Sequence, residues 1–165
     1  MSINWQAVFN AEIAWEAIPQ ILEGLPYTLS LSLIGFALGT FCGFFVALLR
    51  MSKITPLRWL AMLHISLMRG IPLMVLLFFI YFGLPFMGIQ LDAISASIIA
   101  FTSMSSAYIS EIIRASLSAI DKGQWEAAKS LGLRTNVIYR KIIIPQAFRI
   151  ALPPLSNVLL DMVKS

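Results

Sequence analysis

The chain has 165 residues, of which 59% are hydrophobic and only 12% charged, with a formal net charge of +4. Ordinary soluble domains carry roughly 25% charged residues, so the composition excludes that class and indicates a membrane protein of single-domain length. The basic residues gather in particular loops rather than on one face, a pattern that orients a chain in a bilayer and argues against a nucleic-acid partner.

Residues 1–26 hold Glu12, Glu16 and Glu23 and no Lys or Arg. A basic start, a short apolar core and a cleavage site are all missing, so this is not a cleaved signal peptide. Trp5, Val8, Phe9, Ile13 and Ile18 suggest an amphipathic helix on the membrane surface; a frayed terminus is the alternative. From Gly24 to Leu49 no residue is charged, more than the ~20 apolar residues a spanning helix needs. Pro26 suits the first turn of that helix. Ser30, Gly35, Gly39 and Gly43 form a small-residue stripe that lets another helix come close. Cys42, the one cysteine, cannot form an internal disulfide and is expected to pack as a small apolar residue.

The second span is expected over 60–86, interrupted at Arg69-Gly70-Ile71-Pro72. Either residues 70–91 cross alone and 57–68 lie near the surface, or one long helix is kinked at Pro72. An arginine at depth would mark a functional site; an interfacial one would snorkel to head groups. Pro72 within a span frees a carbonyl that the protein must satisfy. The third span, 93–116, is dense in hydroxyls, among them Thr102, Ser103 and Ser106. Hydroxyls gain nothing from lipid, so this helix is expected to face other helices or an aqueous path. Arg69, Pro72, Thr102, Ser103 and Ser106 are the candidate path residues. Glu111 and Arg114, three apart, form a structural pair.

Three basic residues lie in 50–58 and seven in 114–149, ten of the chain's twelve. Positive loops face the cytoplasm, which puts the N-terminus outside, 83–92 outside and 114–149 inside. A fourth helix, 146–165, follows Pro145 and is interrupted by Pro153 and Pro154.

The polar segment 117–145 separates the third and fourth spans. Asp121 with Gln124 has the form of a helix cap and its reciprocal partner. Gly132 sits where a left-handed residue would stop that helix. Thr135 can cap a second helix that Pro145 ends or kinks. Trp125, Ala128 and Gly132 share a face by i, i+3, i+7 spacing, and Ala127 and Ala128 are small enough for close approach. The helix is therefore expected to lie in a groove of a partner protein.

Glu126-Ala127-Ala128, then Gly132, Ile142, Ile144 and Pro145, resembles the EAA loop of ABC-transporter permeases, with Ile144 where that family usually has Leu. Arg69-Gly70-Ile71-Pro72, Tyr81-Phe82-Gly83-Leu84-Pro85 and Gly123-Gln124-Trp125-Glu126 are similar to the polar amino-acid subgroup of importers. The resemblance implies an all-α, polytopic membrane protein, one domain over 1–165 with the type I ABC importer permease (MetI-like) fold. Gln124, Trp125, Glu126, Ala127, Ala128, Gly132, Ile142 and Pro145 would couple to the ATPase. It implies as partners an ABC ATPase dimer, a second permease subunit, an extracytoplasmic solute-binding protein, a polar amino acid such as cystine, and membrane lipid. Family permeases have five spans, so the chain reads as truncated after the start of the fourth. No metal cluster, phosphate-binding glycine loop or nucleophile elbow is present. The chain is thus not expected to be an enzyme or to hold a cofactor, and ATP hydrolysis falls to the partner. An importer for another small solute and a non-transporting membrane anchor are the rival readings.

Overall fold

In a computed structural model the chain is described from Ala11 to Lys164 and is all-helical over those residues. Six helical elements follow one another: α1 (Ala11–Met51), α2 (Thr55–Gly70), α3 (Leu73–Met87), α4 (Ala93–Ser118), α5 (Lys122–Ser130) and α6 (Thr135–Lys164). Helices α1, α4 and α6 are each long and apolar enough to cross a membrane, and the bent pair α2–α3 adds up to one more span.

The tightest packing is between α1 and α4. A Cβ on Gly35 would meet Phe101, one on Gly39 would overlap Ser105, and one on Gly43 would lie 2.9 Å from the Ser106 carbonyl. The small-residue stripe is thus a helix seam, because only glycine lets two backbones come this close. Ser30 is not part of it. Its hydroxyl turns back to the Tyr27 carbonyl, while Ser32 is buried and donates to the Met162 carbonyl on α6 at 3.0 Å. Cys42 likewise faces outward, not into packing. The contact pairs rise together along both helices, ending with Arg50 beside Glu111. So α1 and α4 run parallel, and the segment between them makes one net crossing. Helix α6 runs the other way, bringing Met162 back to the level of Gly35.

The structure also revises the expectations for α1, the α2–α3 break and α6. The segment 11–26 is not a separate surface helix; α1 runs unbroken with Pro19 and Pro26 inside it. Before Pro26 the segment has only Pro19 and Gly24 to weaken it. Its 41 residues extend about 60 Å, twice the ~30 Å hydrocarbon core, so the first turns project beyond it. Trp5, Val8 and Phe9 lie outside the described residues. Of the two arrangements open for 60–86, the division into two segments is the one found, as helices Thr55–Gly70 and Leu73–Met87 bent by 106°. Pro72 forces Ile71 into extended backbone and becomes the N-cap of α3, so it kinks no continuous helix. Its carbonyl accepts from Leu76 N–H. Pro145 does not end α6. A wide π turn over Tyr139–Ile143 shifts the hydrogen-bond register just ahead of it. Pro153 and Pro154 also lie inside the helix, which Ala147, Ala151 and Met162 anchor on both sides. Thr135 is the first residue of α6 rather than its cap, a place Arg134 takes.

Asp92 caps α4 as an N-cap should. Its carboxylate accepts from the backbone N–H of Ile94 and Ser95 and from the Ser95 hydroxyl.

Candidate coupling and translocation sites

Helix α5 is built from its caps inward. Asp121 accepts from Gly123 N–H at 2.6 Å. At the other end Gly132 N–H reaches the Lys129 carbonyl and Leu133 N–H reaches the Ala128 carbonyl. This is a Schellman stop, and it requires the left-handed φ of +72° found at Gly132. Asp121 and Gly132 thus do what their spacing indicated. Gln124 does not close a capping box; its carbonyl oxygen faces Gln146 Nε2 on α6 at 3.4 Å.

The face of α5 assigned to a partner is turned the other way. Ala128 is 2% exposed and packs with Ile120, Ile138, Ile143 and Ala147. Trp125 and Ile142 press on the same cluster, and Trp125 meets the Tyr139 ring edge-on at 4.7 Å. Trp125 and Ala128, three apart, do share a face, but apolar side chains on a short helix bury against their own chain when one is near. Outward stand Gln124, Glu126, Ala127 and Leu131, the last 78% exposed, with Pro145 exposed on α6. The spacing of the motif is therefore largely a folding specification. Ala128 fits under the helix, Gly132 turns the chain, and Ile142 presses on the core from its edge. Glu126 and Ala127 remain outside.

The path candidates do not come together. Ser106 is buried, donating to the Ser103 carbonyl at 2.8 Å and lying 2.9 Å from His64 Nε2 on α2. The Thr102 hydroxyl oxygen is buried with no hydrogen-bond partner. Pro72 is exposed at the break. Arg69 places its guanidinium 5.3 Å over the Tyr108 ring. Tyr108 in turn lines a cleft of about 180 Å³ with Leu73, Phe101, Met104, Ser105 and, from α6, Asp161. Phe101, Met104, Ser105 and Tyr108 follow i, i+3, i+4, i+7 spacing, the signal of one helix face. That face carries a single hydroxyl-bearing aliphatic residue, Ser105, so the density of Ser and Thr does not mark it. The serines of α4 mostly satisfy carbonyls of their own helix; the Ser105 hydroxyl, 2.6 Å from the Phe101 carbonyl, also lies 3.1 Å from Gly35 O across the seam.

At the far end of the seam Glu111 takes two N–H bonds from Arg114, at 3.0 and 2.8 Å, and lies 3.6 Å from Arg50 of α1. The expected structural pair is thus a bridge between helices.

Residues 39–165 match the family described as binding-protein-dependent transport system inner membrane component. A probable amino-acid ABC transporter permease protein of Bacillus subtilis, YckA, is 51% identical over 99% of this chain and 73% of its own length. The L-cystine transport system permease protein TcyB of the same organism is 40% identical over 92% of this chain and 67% of its own. Among solved structures, an amino acid ABC transporter crystallised with histidines superposes with a TM-score of 0.85 at 38% identity, over 99% of this chain and 74% of that one. The MetNI methionine transporter shares the fold at 23% identity and a TM-score of 0.61, over 93% and 73%.

Proposed function

The chain belongs to the inner-membrane components of binding-protein-dependent transport systems, as a multi-pass amino-acid ABC transporter permease, and from that premise we propose that it carries a polar amino acid inward under the drive of an ATPase docked on α5. One observation supports the coupling part above the others. Helix α5 is fastened to the roots of α4 and α6 by Ala128, Ile120, Ile143 and Ala147, while Glu126, Ala127 and Leu131 stay exposed. A push on that outer face reaches both spanning helices through one packed cluster. Nucleotide then shifts the population between inward- and outward-open states by binding them unequally.

The cleft beside Tyr108 is the proposed solute contact, with Arg69 as its cationic group. The partners are an ATPase dimer, a second permease subunit and an extracytoplasmic solute-binding protein. The N-terminus lies outside. Cystine is the proposed cargo, in line with the name of one relative; glutamine and arginine, carried in the names of others, define the rival cargoes.

The test uses the complete transporter. Glu126→Lys and Gly132→Val should insert normally, weaken pull-down of the ATPase and abolish substrate-stimulated ATP hydrolysis. Normal uptake in both variants would overturn coupling through α5. Assembly without any uptake by the parent would favour a membrane anchor. Single cysteines replacing Lys53 or Gln90, in a Cys42→Ala background, test orientation. An impermeant thiol reagent on intact cells should label Gln90→Cys only.

A further inference from the structure

His64 is the chain's one histidine and is half-buried on α2. Its Nε2 lies 2.9 Å from Ser106 Oγ on α4, and a proton count decides which group donates. Ser106 has one hydroxyl hydrogen, and the Ser103 carbonyl accepts it at 2.8 Å. Turned toward His64 instead, that hydrogen would leave two oxygens facing each other through their lone pairs. His64 therefore donates through Nε2–H, and Ser106 passes the chain of bonds on to Ser103.

Helix α2 needs such a directional tie. The break at Ile71–Pro72 leaves no helical hydrogen bond between α2 and α3, and the two are bent by 106°. The buried apolar residues of α2 are Ala61 and Ile65, and apolar contact is non-directional. The hydrogen bond adds a direction-specific contact to that packing, in which Met68 also takes part. Five residues past His64, Arg69 stands over Tyr108, which follows Ser106 by two residues. The two contacts thus run in the same order along both helices.

We propose that His64 is a positioning residue for the translocation cleft: its Nε2–H pins α2 to Ser106 and so holds Arg69 over Tyr108, a wall of the cleft. The inference rests on the reading of that cleft given above, but its geometric half is measurable without transport. In the assembled transporter, with Cys42→Ala, the pair Arg69→Cys and Tyr108→Cys is joined by a short bifunctional thiol reagent. His64→Ala should slow joining roughly threefold, the shift that an average hydrogen bond between membrane helices supports. His64→Gln, which keeps an N–H donor, should restore the rate. Ser106→Ala should slow it equally, and the double variant no further. Where His64→Ala fails to assemble, Ser106→Ala reads the same bond. With native Arg69 and Tyr108, His64→Ala should raise the KM for uptake more than it lowers the maximal rate. Unchanged joining in both alanine variants, or equal loss in His64→Gln and His64→Ala, would overturn the proposal. Unchanged KM with slowed joining would leave the pin and remove the cleft from solute recognition.

Discussion

Gly39 and Ser105 meet where two parallel membrane helices pack without room for a further side chain. A Cβ on Gly39 would overlap the Ser105 hydroxyl and lie 2.8 Å from its Cβ, with the Ser106 backbone 3.3 Å away. The neighbour is partly backbone and cannot swing aside. Gly39→Ala should therefore destabilise by about 1–3 kcal/mol as an overpacked site, and Gly39→Leu should prevent assembly. Gly24→Ala, which meets nothing within 4 Å, is the control and should hold or gain stability. Thermal unfolding of the purified protein in detergent reads all three.

Adjacent alanines in the coupling helix should behave oppositely. Ala128 is buried under α5 and Ala127 is exposed. Ala128→Leu overfills the cluster with Ile138 and Ile143 and should cost about 1–3 kcal/mol. Ala127→Leu should leave stability within about 0.5 kcal/mol but impair ATPase association. Melting curves and pull-down on the same samples separate the two effects. A stable Ala128→Leu variant with lost ATPase binding would mean that the inner and outer faces are wrongly assigned.

Glu111 serves two arginines on two helices. Glu111→Gln keeps the shape and removes the charge that holds Arg114 at 2.8 Å and Arg50 at 3.6 Å. The Arg114 side chain is 36% exposed, so solvent softens the loss, which should be about 1 kcal/mol. In a double-mutant cycle Glu111→Gln with Arg114→Gln should cost less than the sum of the single changes. Strict additivity would show that the pair does not act as a unit.

The cap of α4 carries a pH dependence. The Ser95 hydroxyl bond, followed by the Ser95 backbone bond, holds Asp92 below the usual carboxylate range. A depressed folded value means that stabilisation is present above the unfolded pKa of ~3.9 and is lost as pH falls through the folded value. Asp92→Ala should lower the melting temperature at neutral pH, and the gap from the parent should close under strongly acidic conditions. A gap that stays constant with pH would assign the effect to something other than the ionised cap.

What the sequence by itself determined is what depends on near neighbours and on partition into lipid. A charge-free stretch longer than a bilayer announced the first span, and a shorter charge-free run over 93–110 announced the third. Asp121 and Gly132 marked the ends of α5, since a cap and a left-handed stop need only residues within one turn. Glycines at helical spacing marked a seam, though not which helix would fill it. The family was legible because its motif lies in that local grammar of caps, turns and small residues. Tertiary structure alone decided which way each face points. Trp125 and Ala128 make a face whatever surrounds them, but the presence of Ile120, Ile138 and Ile143 turned it inward. Proline was the other blind spot. Pro26, Pro72 and Pro145 each lack the same N–H, yet one sits inside a helix, one caps a helix after a break, and one follows a π turn. The missing donor costs little at the N-cap held by Pro72 and removes a helical bond inside a helix, as at Pro26. Whether the chain breaks or carries on depends on what packs to either side, and that is settled only when distant helices meet.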